Sequence, residues 1–196
     1  MRASGIFWKF VVTACFGLIL SSVILAVASP CGGYELSIYQ STPLPVWAFL
    51  ILAYVGGASI LIKSSDCDGN SKEVSLGFLI LLSTNFVLTS LSSLRGYFLY
   101  PTADMMNHLS KTMDVISSGS LSGDPTNVYP VTHTLLAQLT LVSSIPLMDL
   151  ARWIGPILST LFMIFTYVLA RSVSNGRSMF ILSITCLLYT SDAADE

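Results

Sequence analysis

The chain has 196 residues, of which 53% are hydrophobic and only 10% are charged. A soluble domain carries ~25% charged residues, so this composition excludes an ordinary soluble enzyme and a disordered tail. Nine Lys and Arg residues are too few to build a nucleic-acid-binding surface. A mean hydropathy of +0.74 indicates an integral membrane protein.

Apolar runs separated by polar loops predict an all-α, multi-spanning membrane fold, since each run is long enough to cross a bilayer as a helix. The five complete spans are predicted at residues 10–28, 46–62, 74–94, 131–148 and 153–170, with a sixth beginning near residue 178. Asp149 and Arg152 predict a tight turn between the fourth and fifth spans. The first run also resembles a signal peptide, because residues 26–28 are Ala-Val-Ala, but its length favours a retained span.

The C-terminal residues 186–196, CLLYTSDAADE, match the translation of a transposase adapter used in sequencing-library preparation. We therefore expect this segment not to be native. Residues 1–185 are then the N-terminal part of a longer membrane domain, interrupted within the sixth span at 178–185. Without Asp192, Asp195 and Glu196 the formal net charge changes from −2 to +1, so the acidic balance does not indicate a function.

The placement of Lys and Arg predicts a cytoplasmic N-terminus and an extracytoplasmic 95–130 loop. The predicted inner side holds Arg2, Lys9, Lys63, Lys72 and Arg152, and the outer side holds Arg95, Lys111, Arg171 and Arg177. The four cysteines are far apart and form no CxxC pair, so neither a disulfide framework nor a zinc site is predicted.

Residues 102–117 of this loop predict an amphipathic helix that begins at Thr102 and can rest in the membrane interface. Met105, Met106, Leu109, Met113 and Ile116 fall on one face, and Asp104, His108, Lys111 and Asp114 on the other. The helix dipole keeps a first-turn Asp104 ionised, and His108 is its i+4 neighbour. Such a pair can supply a general base or a metal ligand, or it can be a capping Asp beside an exposed His.

His133 is predicted to lie one turn inside the membrane edge, because Tyr129 and Pro130 open the fourth predicted span. An ionisable side chain at that depth is a candidate functional residue, the alternative being a His that hydrogen-bonds at the headgroup level. Gln138 is predicted to be the only strongly polar candidate within a span.

Three short motifs resemble the N-terminal part of the C-type membrane glycosyltransferase superfamily, especially its archaeal branch: Arg95-Gly96-Tyr97, Asp104-x3-His108 and Tyr129-Pro130-x2-His133. Residues 33–47 are also similar to a segment of archaeal members. The resemblance implies an enzyme that transfers a sugar from a polyprenyl-phosphate donor, at the outer face of the membrane, to an acceptor that the sequence does not identify. Many members have two adjacent acidic residues in this loop, whereas Met105 follows Asp104 here.

The resemblance also implies roles for individual residues. Asp104 and His108 are the predicted catalytic residues, and Asp104 is the predicted ligand of a divalent metal ion. His133, Arg95, Lys111 and Tyr129 are predicted to bind the donor. The alternative functions are a transporter or flippase and a non-catalytic membrane subunit. A transporter predicts ionisable residues at mid-membrane depth, and the predicted spans have no Asp, Glu, Lys or Arg near their centres.

Overall fold

The computed structural model describes residues 2–33, 35, 37–66, 71–100, 102–121 and 129–173. All regular secondary structure in these ranges is helical, which confirms the all-α prediction. The helices are α1 (Arg2–Ala28), α2 (Ile38–Ser41), α3 (Leu44–Asp66), α4 (Ser71–Thr89), α5 (Leu91–Leu94), α6 (Thr102–Ser118), α7 (Pro130–Ser143) and α8 (Leu147–Val173). The predicted sixth span and residues 186–196 lie outside the described residues.

Four of the described helices are long and apolar enough to cross a membrane, which identifies the chain as a membrane protein. The candidate spans are Phe7–Ala28, Leu44–Ser64, Lys72–Thr89 and Leu147–Ser172. The first three overlap predicted spans because their long apolar runs leave no other way to satisfy the backbone in lipid. The third was predicted to end at residue 94, but α4 ends at Thr89 and the short helix α5 follows it. The prediction of five complete spans is not confirmed.

The difference lies in the predicted fourth and fifth spans. Helix α7 has 14 residues, a length of about 21 Å at ~1.5 Å per residue, and the hydrocarbon core is ~30 Å thick. The chain breaks at Ser144, which has a left-handed backbone with φ 57°, and Pro146 precedes the start of α8. The predicted turn at Asp149 and Arg152 is wrong, since both lie within α8, which has 27 residues. Their side chains form an i,i+3 ion pair at 3.7 Å, an arrangement typical of a helix.

Helices α3 and α4 approach most closely at glycines. A Cβ atom on Gly57 would lie 2.8 Å from Cγ2 of Ile80. A Cβ atom on Gly77 would lie 2.9 Å from Cγ of Leu61 and 3.1 Å from the backbone oxygen of Gly57. Small residues allow backbones to approach in this way, and close packing stabilises helix pairs in lipid.

Helices α4 and α8 are antiparallel. The Nδ2 atom of Asn85 donates a hydrogen bond to Oγ of Ser159 at 3.0 Å. The stacked rings on either side of this bond are Phe86 with Trp153 and Phe78 with Tyr167. The prediction that Gln138 is the only strongly polar candidate within a span is wrong, because Asn85 lies in the predicted third span. Gln138 is exposed on α7.

Candidate functional site

Two polar clusters lie near the end of the bundle at which α8 begins. In the first, Arg95 follows α5 and is only 2% exposed. Its Nη1 and Nη2 atoms donate to the two carboxylate oxygens of Glu35 at 2.9 and 3.0 Å, and its Nε donates to the carbonyl of Ser29 at 3.0 Å. Nη1 also donates to the hydroxyls of Thr42 at 3.3 Å and Tyr97 at 3.0 Å. We refer to these five residues as the arginine cluster.

The electrostatics of the arginine cluster keep its charged pair ionised. Hydrogen bonds from the Tyr97 hydroxyl and from Arg95 lower the pKa of Glu35. Burial, followed by the hydrogen bond to Glu35, raises the pKa of Tyr97 to about 12. All three guanidinium nitrogens already donate to protein oxygens, and Glu35 takes the paired Nη1 and Nη2 donors that a phosphate would use for bidentate binding. The predicted donor-binding role of Arg95 stays a prediction, and in this structure the residue joins the segment after α1 to the segment after α5.

The second cluster lies where α6 meets α7. Nδ1 of His108 and Nε2 of His133 are 2.8 Å apart, so one ring nitrogen donates a hydrogen bond and the other accepts it. The ring centroids of the two histidines are 5.1 Å apart, and the Tyr129 ring lies 5.6 Å from that of His108. We refer to His108 and His133 as the histidine pair. The structure thus brings together three of the residues predicted to form the site.

Packing of α6 against both α7 and α8 positions the histidine pair. Leu109 is buried in an apolar cluster with Leu99 and Ala151. Thr112 is fully buried, and its hydroxyl donates to the carbonyl of His108 at 2.8 Å.

The predicted apolar and polar faces of α6 therefore correspond only partly to its buried and exposed sides. The buried side includes Leu109 from the predicted apolar face and His108 from the polar one, whereas Met106 and Met113 are about half exposed. The reason is that α6 contacts two helices, so its inward side straddles the boundary between the two predicted faces.

His133 is only 3% exposed, and its environment disfavours the imidazolium form. Burial lowers its pKa below the ordinary value of 6.5, and the charges of His108 and Lys111 lower it further. His133 is therefore neutral at pH 7 and has a ring nitrogen that can accept a proton. Lys111, which was predicted to bind the donor phosphate, is close enough for its charge to act on this ring.

Asp104 lies in the first turn of α6, since that helix begins at Thr102 as predicted. Its side chain is outside the described residues, so its contact with His108 and its role as base or metal ligand stay predictions. In the part of the chain that the structure describes, no group of three or more His, Cys, Asp or Glu residues is placed to hold a metal ion.

The histidine pair does not by itself fit a metal site. Two nitrogens bound to one tetrahedral zinc ion would lie about 3.3 Å apart, given Zn–N bonds of ~2.0–2.1 Å. The facing nitrogens of His108 and His133 are 2.8 Å apart, which is the distance of a hydrogen bond between them.

Comparisons with known proteins identify no relative of this chain. No family model, no curated protein and no solved structure matches it. Its function therefore has to be inferred from its own residues and from the motifs that they form.

Proposed function

We propose that this chain is the N-terminal part of a membrane glycosyltransferase that uses a polyprenyl-phosphate-linked sugar donor. The observation that carries the proposal is the contact within the histidine pair. Asp104-x3-His108 and Tyr129-Pro130-x2-His133 are the motifs that most resemble the C-type superfamily, and they meet through two ring nitrogens 2.8 Å apart. A 25-residue separation in sequence does not by itself bring two histidines together, so this contact supports a shared site.

The location of the histidine pair suits a substrate held in the membrane. Helix α6 carries His108 and packs through Leu109 against Ala151, in the second turn of α8. The pair therefore lies near the N-terminal end of a candidate span, and a polyprenyl donor bound there would have its phosphate at the same level. The charged residues of the four candidate spans all lie within six residues of a span end, which favours chemistry at the surface over transport.

In the proposed reaction Asp104 is the base, and the histidine pair and Lys111 assist it. In the proposed step Asp104 removes the proton of the acceptor group as its oxygen or nitrogen bonds to the sugar, and the bond from the sugar to the donor phosphate breaks. Asp104 then passes this proton to Nε2 of His108 as the Nδ1 proton of His108 moves to Nε2 of neutral His133 through their hydrogen bond. Lys111 supplies positive charge for the leaving phosphate. No step is assigned to a metal ion, and metal binding by Asp104 stays a prediction.

We further propose that the histidine-pair end of the bundle is extracytoplasmic and that the N-terminus is cytoplasmic. The Nζ atom of Lys63 lies 4.0 Å from the ring centroid of Trp8, so the end of α3 is beside the start of α1. With four antiparallel spans, Arg171 lies at the end of the bundle where α1 begins, and Arg152 lies at the opposite end. Each is then on the side opposite to the one predicted from the sequence. The N-terminal end then holds Arg2, Lys9, Lys63, Lys72 and Arg171, and the other holds Arg95, Lys111 and Arg152. An excess of basic residues marks the cytoplasmic side.

The test of the proposed function is sugar transfer by the protein encoded by the uninterrupted gene. Membranes containing it are supplied with a panel of labelled polyprenyl-phosphate hexoses, and transfer is compared between the wild type and Asp104→Asn. We expect the variant to lose activity by ~10² or more, because the amide keeps the shape but cannot take a proton.

Asp114→Asn is the matched control, since it makes the same chemical change at an exposed position of the same helix. It should leave transfer within about twofold of the wild type. Undiminished transfer by Asp104→Asn would contradict the catalytic assignment. Equal losses in both variants would point to a general effect on α6 instead.

A further inference from the structure

We infer that α7 lies at one surface of the membrane without crossing it, and that its outward apolar face contacts lipid. The partner is the boundary between lipid headgroups and acyl chains. This inference concerns where α7 lies, and it does not depend on the proposed function.

Both ends of α7 are held at the same end of α8. The C-terminus of α7 is joined to α8 through residues 144–146. Its first turn is held through His133 to His108, and the next residue on α6, Leu109, packs against Ala151 in the second turn of α8. If α7 instead ran through the membrane beside α8, its 14 residues would carry its first turn about 20 Å along α8, far from Ala151.

The buried and exposed residues of α7 lie on opposite sides of the helix. His133, Leu136 and Ala137 are buried against the protein. Val131 and Val142, which are 78% and 87% exposed, lie with Gln138 along the other side at i, i+7 and i+11. If α7 crossed the membrane, the Gln138 amide would lie in hydrocarbon, where removing a polar group from water costs free energy. At the interface the two valines reach acyl chains while the amide reaches water and headgroups.

Helix α6 shows the same mixed exposure beside α7. Met106 and Met113 are exposed one above the other at i and i+7, and the adjacent residues Asn107 and Asp114 are exposed next to them. An apolar edge beside a polar edge is typical of a helix at the lipid–water boundary. Because α6 and α7 pack together and both reach the outer end of α8, one lipid surface accounts for the exposed apolar residues of both. This continuity with a membrane-spanning helix favours lipid over a protein partner as the occupant.

The experiment measures the depth of three positions on α7 by fluorescence quenching. Val131→Cys, Gln138→Cys and Val142→Cys variants of the full chain are labelled with bimane in phosphatidylcholine vesicles. Separate vesicle samples carry a nitroxide near the headgroup or deep in the acyl chain. Native cysteines are replaced by serine except Cys15, which is buried and retained.

We expect all three labels to be quenched at least about twofold more by the shallow nitroxide than by the deep one. Phe162→Cys is the control, since this residue is 49% exposed near the middle of the α8 span and should be quenched most by the deep nitroxide. Circular dichroism of each labelled variant verifies that it retains its helical content.

Two results would overturn the inference. Strongest deep quenching at Gln138, with shallow quenching at Val131 and Val142, would show that α7 crosses the membrane. An absence of quenching at all three positions, with Phe162 responding normally, would show that protein covers this face of α7.

Discussion

The arginine cluster and the histidine pair are two buried polar groupings near the same end of the bundle, but they differ in charge. Arg95 and Glu35 carry opposite charges, and the guanidinium of Arg95 stabilises the ionised form of Glu35. In the histidine pair, positive charge on His108 disfavours positive charge on His133. The first arrangement fixes two segments of the chain in place, whereas the second favours a neutral His133 ring that can accept a proton.

The largest effect on stability is expected from Arg95→Met. This change removes the hydrogen bonds that join Ser29, Glu35 and Thr42 and leaves the carboxylate without its cation. We expect the thermal unfolding midpoint in detergent to fall by roughly 10 °C. Tryptophan fluorescence measures the transition.

Arg152→Met is the control for this prediction, because its ion pair with Asp149 is longer and more exposed. Its midpoint should change by no more than about 3 °C. An equal decrease in the unfolding midpoint for Arg95→Met and Arg152→Met would show that the arginine cluster stabilises the fold no more than the Arg152–Asp149 ion pair does.

The next largest effect is expected on activity, from variants of the histidine pair that keep its shape. His133→Gln and His108→Asn each place an amide group near the position of the contacting ring nitrogen, so a hydrogen bond can still form. Neither amide can take up a proton at pH 7, so we expect transfer by the uninterrupted enzyme to fall by ~10². The unfolding midpoint should fall by less than about 3 °C. Full activity in both variants would show that the histidine pair only holds α6 and α7 together.

The stability contributed by the histidine pair and by the arginine cluster should depend on pH in different ranges. The pKa of His133 is lowered from 6.5 in the folded protein, so the unfolded chain binds more protons just below that pH. The stability that this residue contributes is complete above pH 6.5 and is lost as the pH falls through the folded pKa. Hydrogen exchange of α7 amides, corrected for intrinsic rates, should therefore accelerate below pH 6.5 in the wild type and not in His133→Gln.

The arginine cluster responds at other pH values. The pKa of Tyr97 is raised to about 12, so its stabilising contribution is present below its ordinary value of 10 and is lost as the pH rises through 12. The pKa of Glu35 is lowered from 4.5, so its contribution is lost only in acid, as the pH falls through the folded value. Between pH 5.5 and 7.5 exchange in α2 should not change, and acceleration there would contradict the contrast with α7.

The smallest effect is expected from removing single hydroxyl groups. Tyr97→Phe removes one hydrogen bond to Glu35 and one from Arg95, and we expect a loss of about 1 kcal/mol in the free energy of unfolding. Tyr129→Phe is the matched control, because its exposed ring keeps its contact with His108. Denaturant titration measures both, and an equal loss would show that the Tyr97 hydroxyl has no special role.

The parts of the fold that follow from local sequence were predictable. Long apolar runs predict the spans near α1, α3 and α4, and the capping position of Thr102 predicts the start of α6. The boundary between α7 and α8 was missed because charges at Asp149 and Arg152 are compatible with either a turn or a helical ion pair. The better signal was Pro146, since the residues before a proline are biased away from helix.

The two polar groupings depend on tertiary structure, which spacing alone does not determine. His108 and His133 were both selected from their local patterns, but their contact across 25 residues was not predictable from those patterns. The pairing of Arg95 with Glu35 was missed altogether. A signal existed, because Glu35 is the only charged residue of the 29–45 segment and a lone carboxylate beside a span needs a partner.

The number of helices that cross the membrane decides on which side α8 ends. In the topology proposed above the four candidate spans all cross, and because four is an even number Val173 lies in the compartment in which α1 begins. If the N-terminus is cytoplasmic as proposed, a fluorescent protein that folds only in the cytoplasm should fluoresce when fused after Val173. A phosphatase that is active only outside the cytoplasm should stay inactive when fused at the same point. With five crossings the two reporters would exchange their signals. The compartment in which α8 ends therefore depends on whether α7 crosses the membrane.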